Sequence, residues 1–140
     1  MKRIASLFVI LSLFLSGCNM FQTDSENIAE QATVSGTVNY LTREALPEGA
    51  IITVTLADTS RADAPATTID EVMIPAEGNQ VPIPFELTYN PTQIDERYTY
   101  TVRAKITLDD ELIKTSTQAY PVITRDNPTD NIVIMVENVQ

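Results

Sequence analysis

The chain has 140 residues, 44% of them hydrophobic, with 19 acids against 9 cations and a formal net charge of −10. Length and apolar content bound it to one compact domain, and the acidic balance excludes nucleic-acid binding, which needs clustered cations to displace counterions from phosphates. With no histidine, no tryptophan and one cysteine, the usual zinc and copper ligand sets and the Ser-His and Cys-His nucleophiles are absent, so neither a cofactor nor most enzyme classes are expected.

The first element is a leader. Lys2 and Arg3 give a positive start, and Ile4 to Leu15 is apolar apart from small Ala5, Ser6 and Ser12. A helix that stays in a bilayer needs about 20 apolar residues, so this run reads as a signal-peptide core over residues 1–17. Leu15-Ser16-Gly17-Cys18 resembles the lipobox of bacterial lipoproteins. That resemblance implies recognition of Leu15, Ser16 and Gly17 by the lipoprotein peptidase, cleavage before Cys18, and diacylglycerol on the Cys18 thiol. The residue types suit the chemistry: Gly17 leaves room at the cleaved bond, and a thiol is the best nucleophile available for a thioether. Each buried methylene contributes about 0.8 kcal/mol, so two or three acyl chains on Cys18 hold a protein stably at a membrane. Asn19 stands where an aspartate would signal inner-membrane retention, which implies the periplasmic leaflet of the outer membrane.

Loss of the leader removes two cations and no acid, leaving 7 against 19 and a mature charge of −12. Membrane contact is therefore expected through the lipid and not through the domain surface. After the lipidated cysteine, residues 18–32 are polar and without a period-2 pattern. They read as a flexible tether, on the order of 20 Å end to end by coil statistics.

From residue 33 to 140 the signal is alternation. Runs rich in β-branched and aromatic residues fall at 33–40, 51–57, 68–74, 81–89, 97–108, 112–116, 120–123 and 132–136, bounded by Pro, Gly, Asn and Asp. Seven or eight short strands predict an all-β fold, an antiparallel β-sandwich with a small closed β-barrel as the alternative. Pro82 and Pro84, two apart, withdraw two donors from the same side of one strand, which places that strand at a sheet edge. Asp109-Asp110-Glu111 reads as a hairpin tip and 125–131 as a polar loop. Neither acidic cluster has the spacing and glycine of a calcium loop, and the nineteen acids make a close carboxylate pair too commonplace to indicate a hydrolase.

Two features are candidate partner contacts. The segment 58–65 holds Arg61 between Asp58 and Asp63, either a recognition loop or an internally paired turn. Arg97, Arg103 and Lys105 alternate along one run and would share a strand face, placed either to read an acidic partner segment or to pair across strands with an acid such as Glu86.

Ala45-Leu46-Pro47-Glu48-Gly49-Ala50, the stretch from Val54 to Pro65, Val81-Pro82-Ile83-Pro84-Phe85-Glu86-Leu87, Tyr98 to Ile106 and Tyr120-Pro121-Val122 together resemble the YbaY-like lipoproteins, relatives of the YscW pilotin. The resemblance implies a β-sandwich lipoprotein and, for the secretion branch, a chaperone that escorts an outer-membrane secretin ring. The expected function is thus a non-enzymatic interaction or chaperone module for another envelope protein. A structural lipoprotein supporting outer-membrane integrity is the alternative, and a carboxylate hydrolase the third.

Overall fold

The computed structural model describes residues 30–140. The leader, Cys18 and most of the expected tether lie outside the described residues. Eight strands follow in order: β1 (Ala32–Asn39), β2 (Ile51–Asp58), β3 (Thr67–Pro75), β4 (Ile83–Tyr89), β5 (Tyr100–Leu108), β6 (Glu111–Ser116), β7 (Tyr120–Val122) and β8 (Ile132–Asn138). The single helical turn among the described residues is a 3₁₀ turn at Pro91–Gln93, capped by the Asn90 side chain.

The all-β class and eight strands agree with the expectation. The strands run as one continuous sheet in the order β3-β2-β5-β6-β8-β1-β4, with β7 pairing the start of β5. Of the two architectures weighed, this path is the barrel-like one. The end strands β3 and β4 come alongside one another with no backbone ladder between them, so the barrel is nearly closed. Pairing is antiparallel except between β1 and β8, which are parallel. Nothing local marks that exception, because no hairpin ties strands at opposite ends of the chain and their relative direction is set by the barrel.

The core follows from alternation. Ile52, Val54 and Leu56 of β2, Val102 and Ile106 of β5, Val34 and Val38 of β1, Leu87 of β4 and Ile134 of β8 are fully buried. Burial of each such side chain is worth about 1.5–3 kcal/mol. Gly36, in the middle of β1, lies opposite Ile132 of β8, and a Cβ there would sit 2.0 Å from the Ile132 carbonyl oxygen. Only glycine allows β1 and β8 to approach so closely.

The seam between β3 and β4 shows how an edge is closed without a ladder. The Asp70 carboxylate on β3 accepts from the Thr88 backbone N–H at 2.6 Å and from the Thr88 hydroxyl at 3.2 Å. Residues two apart on β4 direct their backbone groups the same way, so the 84, 86 and 88 positions face this seam. Pro84 has no N–H to offer there. The edge-strand expectation for this segment holds, although β4 starts at Ile83 and Pro82 precedes it.

The run expected from Arg97 to Leu108 becomes a strand only at Tyr100. The Asp95 carboxylate accepts from the Arg97 N–H at 2.9 Å, folding 95–98 into a turn that leaves Tyr98 43% exposed and off the core face. The hairpin at 109–110 is as expected, with Asp109 at φ 49° and Asp110 at φ 67°, the left-handed pair that a tight two-residue turn requires.

Strand directions sort the connections into two groups. The first residues of β1, β5 and β8 share one end of the barrel with loops 59–66, 90–99 and 123–131. Loops 40–50 and 76–82 and the Asp109–Asp110 turn occupy the other.

Candidate partner-binding groove

The outer face of β2 and the start of the outer face of β5 carry small side chains where an exposed sheet would ordinarily carry large polar ones. Three rows cross them by ladder pairing: Thr53 opposite Lys105, Thr55 opposite Arg103, and Ala57 opposite Thr101. On the far side of β2, Met73, Glu71 and Thr68 of β3 continue the same rows, and Thr115 of β6 lies beyond Lys105. A register shift between Leu56 and Ala57 bulges the β2–β3 pairing, which bends β3 relative to β2.

The product is a groove of about 400 Å³. Thr53, Thr55, Ala57 and Thr101 form its floor, Ala66 and Thr68 line one end, and Arg103, Lys105 and Thr115 line the side toward β6. Most of the floor is buried although it belongs to the outer face: Thr53, Ala57 and Thr101 are 4%, 9% and 5% exposed, and Thr55 is the accessible one of the four.

The polar groups of the groove are unevenly satisfied. Thr55 donates to the Glu71 carboxylate at 2.9 Å. The Thr101 hydroxyl oxygen has no hydrogen-bond partner, and it is the one buried side-chain polar atom of this kind among the described residues. Leaving such a group unmade costs about 1–3 kcal/mol. Arg103 and Lys105 are exposed and no carboxylate lies within ion-pairing distance of either among the described residues. The expected cross-strand pairing with Glu86 does not occur, because Glu86 is on β4 opposite Ser35 and belongs to a distant part of the sheet.

Arg97 does not share the face of Arg103 and Lys105. It precedes β5, and its guanidinium grips Asp95 at 2.6 Å, the one ion pair among the described residues. Hydrogen bonds from the Arg97 side chain, then from its backbone, hold the Asp95 carboxyl down to about 2, and the same carboxylate raises Arg97. The structure nevertheless brings Arg97 beside Asp58, Ser60, Arg61 and Tyr98 around a shallow cleft at the 59–66 loop end. Asp58 accepts from the Ser60 N–H at 2.8 Å, and the Ser60 hydroxyl accepts from Thr99 N–H at 2.8 Å. This turn is hydrogen-bonded and not salt-bridged: among the described residues Arg61 pairs with neither Asp58 nor Asp63, and Asp63 stays outside the cleft.

One cation is committed to the interior. Lys114, 6% exposed, lies over the Tyr40 ring with its ammonium 4.9 Å from the centroid, and donates to Thr42 Oγ1 at 3.3 Å and to Asn138 Oδ1. Tyr40 donates to the Glu44 carbonyl at 2.9 Å, and burial, with a smaller push from Glu44, raises its phenol above the ordinary value. These contacts fasten the 40–46 loop and the C-terminal strand over the barrel end.

The floor residues Thr53, Thr55, Ala57 and Thr101 were not singled out by sequence reasoning. Their one signal is that β2 places small residues on the wet face, and it acquires meaning only when Ala57 is known to lie opposite Thr101.

Comparison with known proteins supplies three findings. The family model described as "Type III secretion system lipoprotein chaperone (YscW)" matches residues 29–135. The uncharacterized lipoprotein YbaY of Escherichia coli is 34% identical over 106 residues, which cover 76% of this chain and 56% of YbaY, so the chain spans little more than half the length of that relative. The solved structure of an alternative pilotin from the type II secretion system of Vibrio cholerae superposes with a TM-score of 0.75 at 36% identity, covering 79% of this chain and 99% of the other.

Proposed function

Since the chain belongs to the YscW family of lipoprotein chaperones, we propose that it is a pilotin-like, non-enzymatic chaperone that binds another envelope protein while held at a membrane by lipid. The observation that carries the reading is the likeness to the Vibrio cholerae pilotin, which takes in 99% of that chain at 36% identity. The solved pilotin is thus matched over its whole domain and not over a fragment of it. The groove over β2 and β5 supplies a surface suited to the task, since its small floor admits a segment of another protein.

In this reading Cys18 carries the anchor and the outer membrane is the site of action. The lipobox resemblance of Leu15 to Cys18 and the lipoprotein character of the relatives support it. The domain surface is then free for the partner, and the client is a component of a secretion apparatus in the outer membrane.

The test is made in cells. A photo-crosslinking residue at Thr55 should recover one specific envelope protein, and deletion of the gene should lower that protein's amount in the outer membrane. Cys18→Ser should abolish palmitate incorporation and mislocalise the complex. Recovery of abundant neighbours alone, with detergent sensitivity as the sole deletion phenotype, would replace the chaperone reading with a structural one.

A further inference from the structure

We infer that the β2–β5 groove recognises an acidic segment of its partner, with carboxylates seated on Arg103 and Lys105 and a partner oxygen on the Thr101 hydroxyl. The inference rests on the chaperone reading and specifies the chemistry of its ligand.

Three observations converge on one surface. In a chain whose acids outnumber its cations by ten, Arg103 and Lys105 lie side by side at the groove with no carboxylate in ion-pairing range among the described residues. The unpartnered Thr101 hydroxyl, on a residue 95% buried, lines the same groove one row away. On β3, outside the groove lining, the Glu71 carboxylate is already engaged by Thr55 and does not pair with either cation. The groove therefore has a cationic side, a floor of small side chains and an unfilled hydrogen bond on that floor.

The spacing decides between anions. Residues two apart on a strand are separated by about 7 Å at their backbones, so the two cations, extended side by side, can engage two anionic groups at once. Two acidic side chains four residues apart on a helix are separated by about 6 Å and would meet both. Guanidinium favours a bidentate carboxylate contact and the lysine ammonium accepts a point contact, so Arg103 would fix register while Lys105 contributes charge.

Zero-length carbodiimide coupling in intact cells, using the full-length protein, tests this directly, because it joins a lysine amine only to a carboxylate in contact with it. Lys105 should couple to an aspartate or glutamate of the recovered protein, as mapped by mass spectrometry. Lys105→Arg should lose the crosslink yet keep co-purification, whereas the double variant Arg103→Glu, Lys105→Glu should weaken co-purification about tenfold or more with unchanged far-UV circular dichroism. Partner recovery that is indifferent to the charge reversal, or a partner recovered with Lys105 uncoupled, would overturn the inference while leaving the chaperone reading intact. Failure of the wild-type protein to recover any partner would overturn both.

Discussion

The seam between β3 and β4 and the groove over β2 and β5 are both places where the sheet leaves polar groups without a ladder, and the chain treats them in opposite ways. At the seam, Pro84 removes a donor and Asp70 crosses from the neighbouring strand to take the Thr88 N–H. At the groove, the Thr101 hydroxyl, Arg103 and Lys105 are left without protein partners among the described residues. An edge satisfied from within holds the barrel together, and a surface left unsatisfied is available to something else. The difference separates stability from recognition within one small domain.

The largest expected effect lies beneath the groove. Leu56 is fully buried on the inner face of β2, and Leu56→Ala should cost about 3 kcal/mol by lost burial and the cavity left behind. Arg103→Glu on the outer face of the adjoining strand should leave the free energy of unfolding, from urea titration, within about 0.5 kcal/mol of wild type. Comparable losses for both would erase the division between the two faces.

Next is the seam. Asp70→Ala leaves the Thr88 N–H without its carboxylate and should destabilise by about 1.5 kcal/mol, the low end for a hydrogen bond to a charged group because the seam is exposed. Partner recovery should not change. The mirror case is Thr101→Val, which removes an unmade hydrogen bond and should stabilise by up to about 1 kcal/mol while weakening partner binding. A Thr101→Val protein that is less stable and binds normally would make the groove floor a packing device only.

The smallest effect is at the Asp95–Arg97 turn. The folded-state pKa of Asp95 is depressed from 3.8 to about 2. Its contribution to stability is therefore present above pH 3.8 and is lost as the pH falls through about 2. Carboxyl chemical shifts should titrate near 2 in wild type and move toward 3.8 in Arg97→Gln. The Arg97 side chain is 83% exposed, so solvent screening makes a visible change in unfolding midpoint at neutral pH unexpected.

Much of the fold was legible because alternation is a local signal: each of the eight strands was placed from its own residues. The start of β5 was misread for a local reason as well. Arg97 and Tyr98 continue the alternation, but Asp95 accepts from the Arg97 N–H and makes a turn where a strand would otherwise run. The parallel β1–β8 join was not legible, since pairing between chain ends leaves no mark on composition, and Gly36 is its only trace. The candidate site divides along the same line. Arg103 and Lys105 were visible as one strand face, whereas their lack of an acid depends on where Glu86 lands in the barrel. The floor needed the β2–β5 register before Thr53, Thr55, Ala57 and Thr101 became one surface.

The position of β1 has a mechanical consequence. Ala32 to Val38 pair with β4 on one side and Gly36 to Asn39 pair with β8 on the other, so the strand first met from the N-terminus is an inner strand of the sheet. A load applied between the residues ahead of Ala32 and a cargo on the domain runs along β1 and shears both ladders at once. Rupture then requires many hydrogen bonds to fail together, whereas an edge strand pulled from its end would unzip one bond at a time. A fold that enters its barrel through a doubly flanked strand is built to be towed.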